Sequence, residues 1–447
     1  MFDLVIIFAI GVGLLAAIVG LQMHVVLKFL IAIVAMFTIS KILSKRLGIK
    51  DDLGMLMIKS QAGVELIRKA AGREWLWKLF ADLGTVIAYG ALSYFIIKRP
   101  PKERAAVLFA GLVFVSAISI FVAPTAFQFL LTLIGGGEGI ASKAGGGNNL
   151  LSYASTVLLY LGGLALVALS SLLIYAYVVA SAVIGTVFFG TGALAGTAPG
   201  ATLILPGINI PLVEGIVALA LILAVHEGAH AILSVIAKVR ILSSGVVLMG
   251  VVPIGAFVEP DEEALQKTSA EKQTRVLVAG SSANFFAAIA LFMVFVAFLF
   301  AAAPYREIGI LLVGGNHSGE VVYTINGQPA AAFLNATNVS VNQTLVFEGS
   351  KGSFELTLKD SGGLRYYDLA SSFLMAHYAS PWLMFIYNLL GLAFSLNVVV
   401  GMVNLLPIPL FDGYRLLEVN VQQKKVVAVI SWIAIIAFLV NFLPWIV

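Results

Sequence analysis

Leu221-Ile222-Leu223-Ala224-Val225-His226-Glu227-Gly228-Ala229-His230-Ala231-Ile232-Leu233 sits inside an apolar stretch, residues 211–237, long enough to cross a lipid bilayer. On a helix, residues four apart share a face, so His226 and His230 can hold one metal ion while Glu227, about 100° round, acts on a water molecule there. This is a zinc-hydrolase signature and the chemistry of peptide hydrolysis. The alternative is a pair of packed histidines near a helix end. Ionisable side chains in lipid are costly and mark functional positions by default, which favours the metal.

The rest of the composition agrees with the setting. Soluble domains carry roughly a quarter charged residues; this chain of 447 residues has 11% charged and 60% hydrophobic residues, and reads as a polytopic α-helical membrane protein. The net charge of +4 is spread over short loops, which speaks for membrane orientation and against a nucleic-acid partner. With no Cys, disulfides and thiolate ligands are excluded, leaving His, Asp and Glu for a metal. The first apolar stretch, Phe2 to Leu21, contains Asp3 and lacks a basic leader, so it reads as a retained span.

Spans are expected near residues 2–21, 24–43, 79–97, 105–134, 211–237, 276–303, 381–405 and 425–446. Residues 150–190 supply one more, or two joined near Gly162-Gly163 or Ser170-Ser171, for a total of nine or ten. The division expected is a multi-span region over 1–204, a first core half over 205–303, a polar module over 304–380 and a second core half over 381–447. Lys238, Arg240, Lys267, Lys272 and Arg275 flank the membrane on one side, which places 238–275 and the His pair toward the cytosol and 304–380 outside the cell. The front half resists this logic. Residues 45–78 and 98–104 are both basic, yet a single span separates them, so either one segment lies outside or the helix at 79–97 does not cross.

In the polar module, Glu320 to Ile325 alternates toward Asn326-Gly327, a hairpin dipeptide, and strands at 344–348 and 354–358 bracket a second turn. The run Gly319 to Gln328 resembles a PDZ domain, which binds extended peptides by strand addition, the alternative being a generic β domain. Its partner would be a peptide or a substrate ectodomain. Sequons start at Asn316, Asn335, Asn338 and Asn342, which fit an external face or arise by accident in a polar loop. His24, His317 and His377 read as solvated or packed rather than as ligands.

A catalytic zinc takes three protein ligands plus water, so another acid or imidazole must approach the His pair. Asp412 is the candidate; it follows Asn404-Leu405-Leu406-Pro407-Ile408-Pro409, whose prolines interrupt an apolar helix, and the alternative is an ordinary Asp at a helix end. With these residues in hand, the chain over about residues 205–447 resembles the site-2 protease family of intramembrane zinc metalloproteases, in its archaeal and eukaryotic-like branch. The carrying motifs are His226 to His230, Gly280-Ser281-Ser282-Ala283-Asn284, Asn404 to Gly413, and the approach Pro206 to Pro211. Two departures stand out: Phe411 precedes Asp412 where Leu is usual, and Ser281 follows Gly280 where Pro is common.

The resemblance implies a single zinc held by His226, His230 and Asp412, with Glu227 as general base and Asn284 and Asn404 hydrogen-bonding the peptide or its oxyanion. Asn284 could instead simply bridge helices. Residues 241–258 look like the family's re-entrant β hairpin, offering an edge to an unwound substrate strand, against the alternative of an interfacial loop. The expected function is cleavage of a transmembrane segment of another membrane protein. The rivals are a metal-ion transporter and a catalytically silent scaffold.

Overall fold

In lipid only a helix satisfies every backbone N–H and C=O within one segment, and the uniformly apolar stretches of this chain are helical. The computed structural model describes residues 2–445 apart from 22–24, 49–50, 53, 61, 135–148, 195, 203, 208, 307–309, 314–316, 318–319, 331–343, 350–351, 358–364, 369–377 and 379. The front half supplies α1 (Phe2–Gly20), α2 (Val25–Leu47), α3 (Ala62–Ala70), α4 (Glu74–Tyr89), α5 (Ser93–Ile96), α6 (Pro101–Ala117), α7 (Ala123–Ile134) and α8 (Asn149–Phe189). There follow α9 (Leu212–Ile236), α10 (Glu262–Gln266), α11 (Ala270–Ala301), α12 (Pro381–Val403), α13 (Asp412–Asn420) and α14 (Lys424–Val440).

Seven described segments are long and apolar enough to cross a membrane: Glu74–Ile96, Pro101–Leu130, Thr156–Phe189, Leu212–Ile236, Ala270–Ala301, Pro381–Val403 and Lys424–Trp445. The chain is an integral, multi-pass membrane protein. Helices α1 and α2 lie where two further spans were expected, but the described apolar part of α1 is only Ile6–Ile18, and α2 carries Lys28, Lys41, Lys45 and Arg46. The expected joint in 150–190 falls at the first of its two candidate sites, since α8 breaks at Gly163 (φ 63°, ψ −161°), a conformation closed to L side chains.

The puzzle of the two basic segments has a geometric answer. A straight helix would carry Arg99 about 25 Å from Asp82, yet Arg99 Nε donates to Asp82 Oδ2 at 2.5 Å. The chain therefore turns back at Gly90 (φ 56°), where α4 ends, and returns through α5. Gly90 and the Gly163 break meet backbone to backbone, a Cβ on Gly90 falling 2.7 Å from Gly163 N. Residues flanking 74–99 on either side can thus share one side of the membrane, the second of the two alternatives that the charge pattern left open.

The chain forms two compact units, one of residues 1–123, 148–290 and 396–447, the other of 124–147 and 291–395. In the first, strands β1 (Asp51–Asp52), β2 (Met55–Ser60), β3 (Ile241–Met249) and β4 (Val252–Pro260) make an antiparallel sheet in that order. The hairpin expected from 241–258 is β3–β4, turning at Gly250 (φ 63°). Strand β2, which the sequence reading did not anticipate, pairs along β3 from Met55↔Met249 to Ser60↔Ser244. Gly245 makes room for it, a Cβ there falling 2.1 Å from Ile58 O. Lys59 reaches over β3 to Glu259 at 2.8 Å, and the hydrogen bonds from Lys59 and Ser243 hold that carboxyl below its ordinary pKa. Helices α9, α4 and α11 share one buried cluster that includes Ile87, Leu233, Ile236, Leu277 and Phe285.

The second unit holds β5 (Ile310–Val313), β6 (Val321–Ile325), β7 (Gln328–Pro329), β8 (Thr344–Gly349), β9 (Gly352–Thr357) and β10 (Arg365–Asp368) in one antiparallel sheet. Asn326 and Gly327, both with positive φ (51° and 72°), make the tight β6–β7 turn that the dipeptide announced. Alternate residues of β8, Leu345 and Phe347, form its core with Val322 and Ile325 on either side of the β6 register shift and with Ile310 and Leu312. His317 stacks on Phe354 at 3.8 Å and bonds Glu320, a packed histidine as expected. The four sequon asparagines, His24 and His377 lie outside the described residues.

Candidate active site

Helix α9 carries His226 and His230 one turn apart, and the tight loop after α12 brings Asp412 to them. Asn404 to Phe411 is a chain of short turns: Leu405 N bonds Met402 O, Leu406 N bonds Val403 O and Phe411 N bonds Ile408 O, while Pro407 and Pro409 have no N–H to satisfy. The loop closes where Gly413 N donates to Asn404 O at 2.7 Å. Only glycine fits there, because a Cβ would stand 2.2 Å from Leu405 O. The residue before it, Asp412, opens α13 and points at the His pair.

Three donor atoms converge. His226 Nε2 and His230 Nε2 are 3.2 Å apart, and Asp412 Oδ2 lies 3.3 Å from the first and 3.1 Å from the second. A tetrahedral zinc site with bonds of about 2.0–2.1 Å has donor–donor edges of about 3.3 Å, so the three atoms fit a common ion. These residues are the group among the described His, Asp and Glu that could hold one.

Each imidazole is oriented through its other nitrogen. His230 Nδ1 donates to Val276 O at 2.7 Å, which leaves its Nε2 lone pair free to bind. The amide of Asn284 lies 3.1 Å from His226 Nδ1 by its nitrogen, while its Oδ1 is buried without a partner. Exchanging amide O and N, an assignment set by the hydrogen-bond network, lets His226 Nδ1 donate to Oδ1. Both histidines then present Nε2 to the site. Val276 and Asn284 both stand on α11, and between them Gly280 faces the two imidazoles: a Cβ on it would be 2.4 Å from Nε2 of each histidine.

A cavity of about 340 Å³ opens onto these groups. His226, Glu227, His230, Asn404 and Asp412 line it, with Val258 and Pro260 of β4. The carboxylate of Glu227 bonds no described residue, and the Asn404 amide is likewise uncommitted. Asn284, by contrast, is fully buried behind His226 and is not a lining residue. Five of the six expected site residues therefore face one space, and the sixth supports it from behind. The sequence reading missed two cavity residues, Glu262 and Arg415, which form a two-bonded ion pair between α10 and α13. They come from distant elements and no spacing links them, though Arg415 lies one turn after Asp412.

Residues 214–429 match the model of peptidase family M50. Over this segment the chain is similar to the M50 peptidases. The matched segment spans both motif-bearing helices, the β3–β4 hairpin and Asp412, and peptidases of that family, to which the site-2 proteases belong, are metallopeptidases of membranes. The chain is also 28% identical over 216 residues to an uncharacterised protein of the archaeon Methanocaldococcus jannaschii, a match covering 46% of this chain and 56% of that relative. No solved structure matches it.

Proposed function

We propose that this protein is an intramembrane zinc endopeptidase that hydrolyses a peptide bond in or near a transmembrane segment of another membrane protein. The observation that carries the reading is the meeting of His226, His230 and Asp412 at 3.1–3.3 Å on a helix apolar enough to span. In this reading the three hold one zinc. When bound, zinc polarises the scissile carbonyl and lowers the pKa of a water molecule to about 7. Glu227 takes the water proton and returns it to the leaving nitrogen. The Asn404 amide, uncommitted in the cavity, hydrogen-bonds the peptide or the developing oxyanion. For Asn284 the buried contact with His226 favours orienting the ligand over touching substrate.

A helical substrate must unwind, because its peptide bonds are already internally bonded and out of reach. Edge β4 is the place for the unwound strand. It lines the cavity through Val258 and Pro260, and no described strand pairs its outer side, whereas β3 is covered by β2. In the proposed orientation the hairpin re-enters from the cytosolic side, flanked by Lys238, Arg240, Lys272 and Arg275, and the β5–β10 module lies outside the cell as a PDZ-like domain that meets a peptide or substrate ectodomain.

Glu227→Gln, tested on a reconstituted substrate, should reduce cleavage by at least about 10²–10⁴-fold while zinc stays bound; undiminished cleavage sinks the mechanism. Metal flux through proteoliposomes would favour the transporter reading instead, which gives no use to a free base in the cavity. A silent scaffold would show no bound zinc that Asp412→Ala removes.

A further inference from the structure

The M50 match begins at residue 214, yet a carboxylate on α4, before it, connects to the site. Asp82 is 3% exposed and accepts from Arg275 Nε at 2.7 Å and Nη2 at 3.0 Å, as well as from Arg99. Arg275 stands on α11 immediately before Val276, whose carbonyl accepts the hydrogen bond from His230 Nδ1. One turn on comes Gly280 against both Nε2 atoms, and another turn on comes Asn284 against His226. Two residues after Asp82, Gly84 touches the same helix so closely that a Cβ would overlap Ser282 Oγ. The forked, two-bonded Arg275 contact fixes both the height and the rotation of α11 on α4, as a single point contact would not.

We infer that Asp82 is a positioning residue for the metal site: by clamping Arg275 it keeps the Val276 carbonyl and the Asn284 amide in register with His230 and His226. The inference rests on the reading of His226, His230 and Asp412 as metal ligands. Partners that orient ligating histidines typically govern metal affinity by about 10–100-fold, and here the helix that carries both partners is held from a region outside the family segment. Arg99 provides the internal control. It bonds the same carboxylate but belongs to the segment returning from α5 and has no bond to α11.

The test uses the full chain in lipid nanodiscs, stripped of metal and titrated with Zn²⁺ against a competing chelator, and with Co²⁺ to read the ligand field by its visible spectrum. Asp82→Asn and Arg275→Lys should each weaken metal binding by about 10–100-fold and shift the Co²⁺ spectrum. Arg99→Lys should lower the thermal midpoint while leaving affinity and spectrum at the wild-type values. If Asp82→Asn does not fold, Arg275→Lys, which keeps the charge but loses the fork, decides alone. Wild-type affinity and spectrum in Arg275→Lys, or equal weakening in Arg99→Lys, would overturn the inference and leave the network as a fold contact. A wild-type chain that binds neither metal would instead overturn the metal-site reading itself.

Discussion

Gly280 is the residue on which the site's geometry turns most sharply, because it is absent volume. Its Cα faces the two imidazoles, and the space a methyl group would fill is the space next to their Nε2 atoms. Gly280→Ala should therefore leave the helices in place but weaken zinc binding by about 10–100-fold or more, measured by chelator competition on the folded protein; unchanged affinity would mean that the nitrogens do not converge there. At this scale the sequence was highly informative. Two histidines four apart and an acid after proline turns can be read from the chain, because each motif lies within one helix or loop. What it could not give was the place of Asn284, since a buried amide behind a histidine and one that faces the cavity have the same letter and the same spacing. The distinction needs the 3.1 Å contact and the full burial.

Elements show where the reading was blind. The loop from Asn404 to Gly413 works because two prolines leave no N–H unpaired and one glycine lets the chain close on the Leu405 carbonyl. Gly413→Ala should spring that closure and withdraw Asp412, so zinc affinity falls while His226 and His230 still offer two ligands; retention of full affinity would show that the loop has slack. The antiparallel β3–β4 pair lies where the family resemblance leads us to expect a hairpin. Strand β2 was not legible, since Met55 to Ser60 has no alternation to mark it, and it is made a strand by the partner it meets. The return at Gly90 was equally hidden. Apolar content over 74–96 measures length, and only a bond such as Arg99 to Asp82 reveals that the segment doubles back.

For the whole molecule, a segment that doubles back without crossing would lower the count of crossings by one and put the loops before and after it in one compartment. The absence of cysteine makes this easy to check, because any introduced thiol is unique. Lys69→Cys and Lys102→Cys should be labelled by a membrane-impermeant maleimide from the same face of oriented vesicles; labelling from opposite faces would mean that 74–96 crosses after all. The front half, which had no reading from the family resemblance, thereby acquires two physical tasks within the first compact unit: α4 braces α11, and β2 occupies the outer side of β3. The second task reaches beyond catalysis. A fragment trimmed to the matched segment would keep the hairpin but bare a second row of unpaired N–H and C=O groups, so its two rims could dock copy upon copy into a ribbon. In the intact chain that rim of β3 is instead paired from Met55 to Ser60 by a strand from far upstream, so the hairpin meets its neighbours within one molecule.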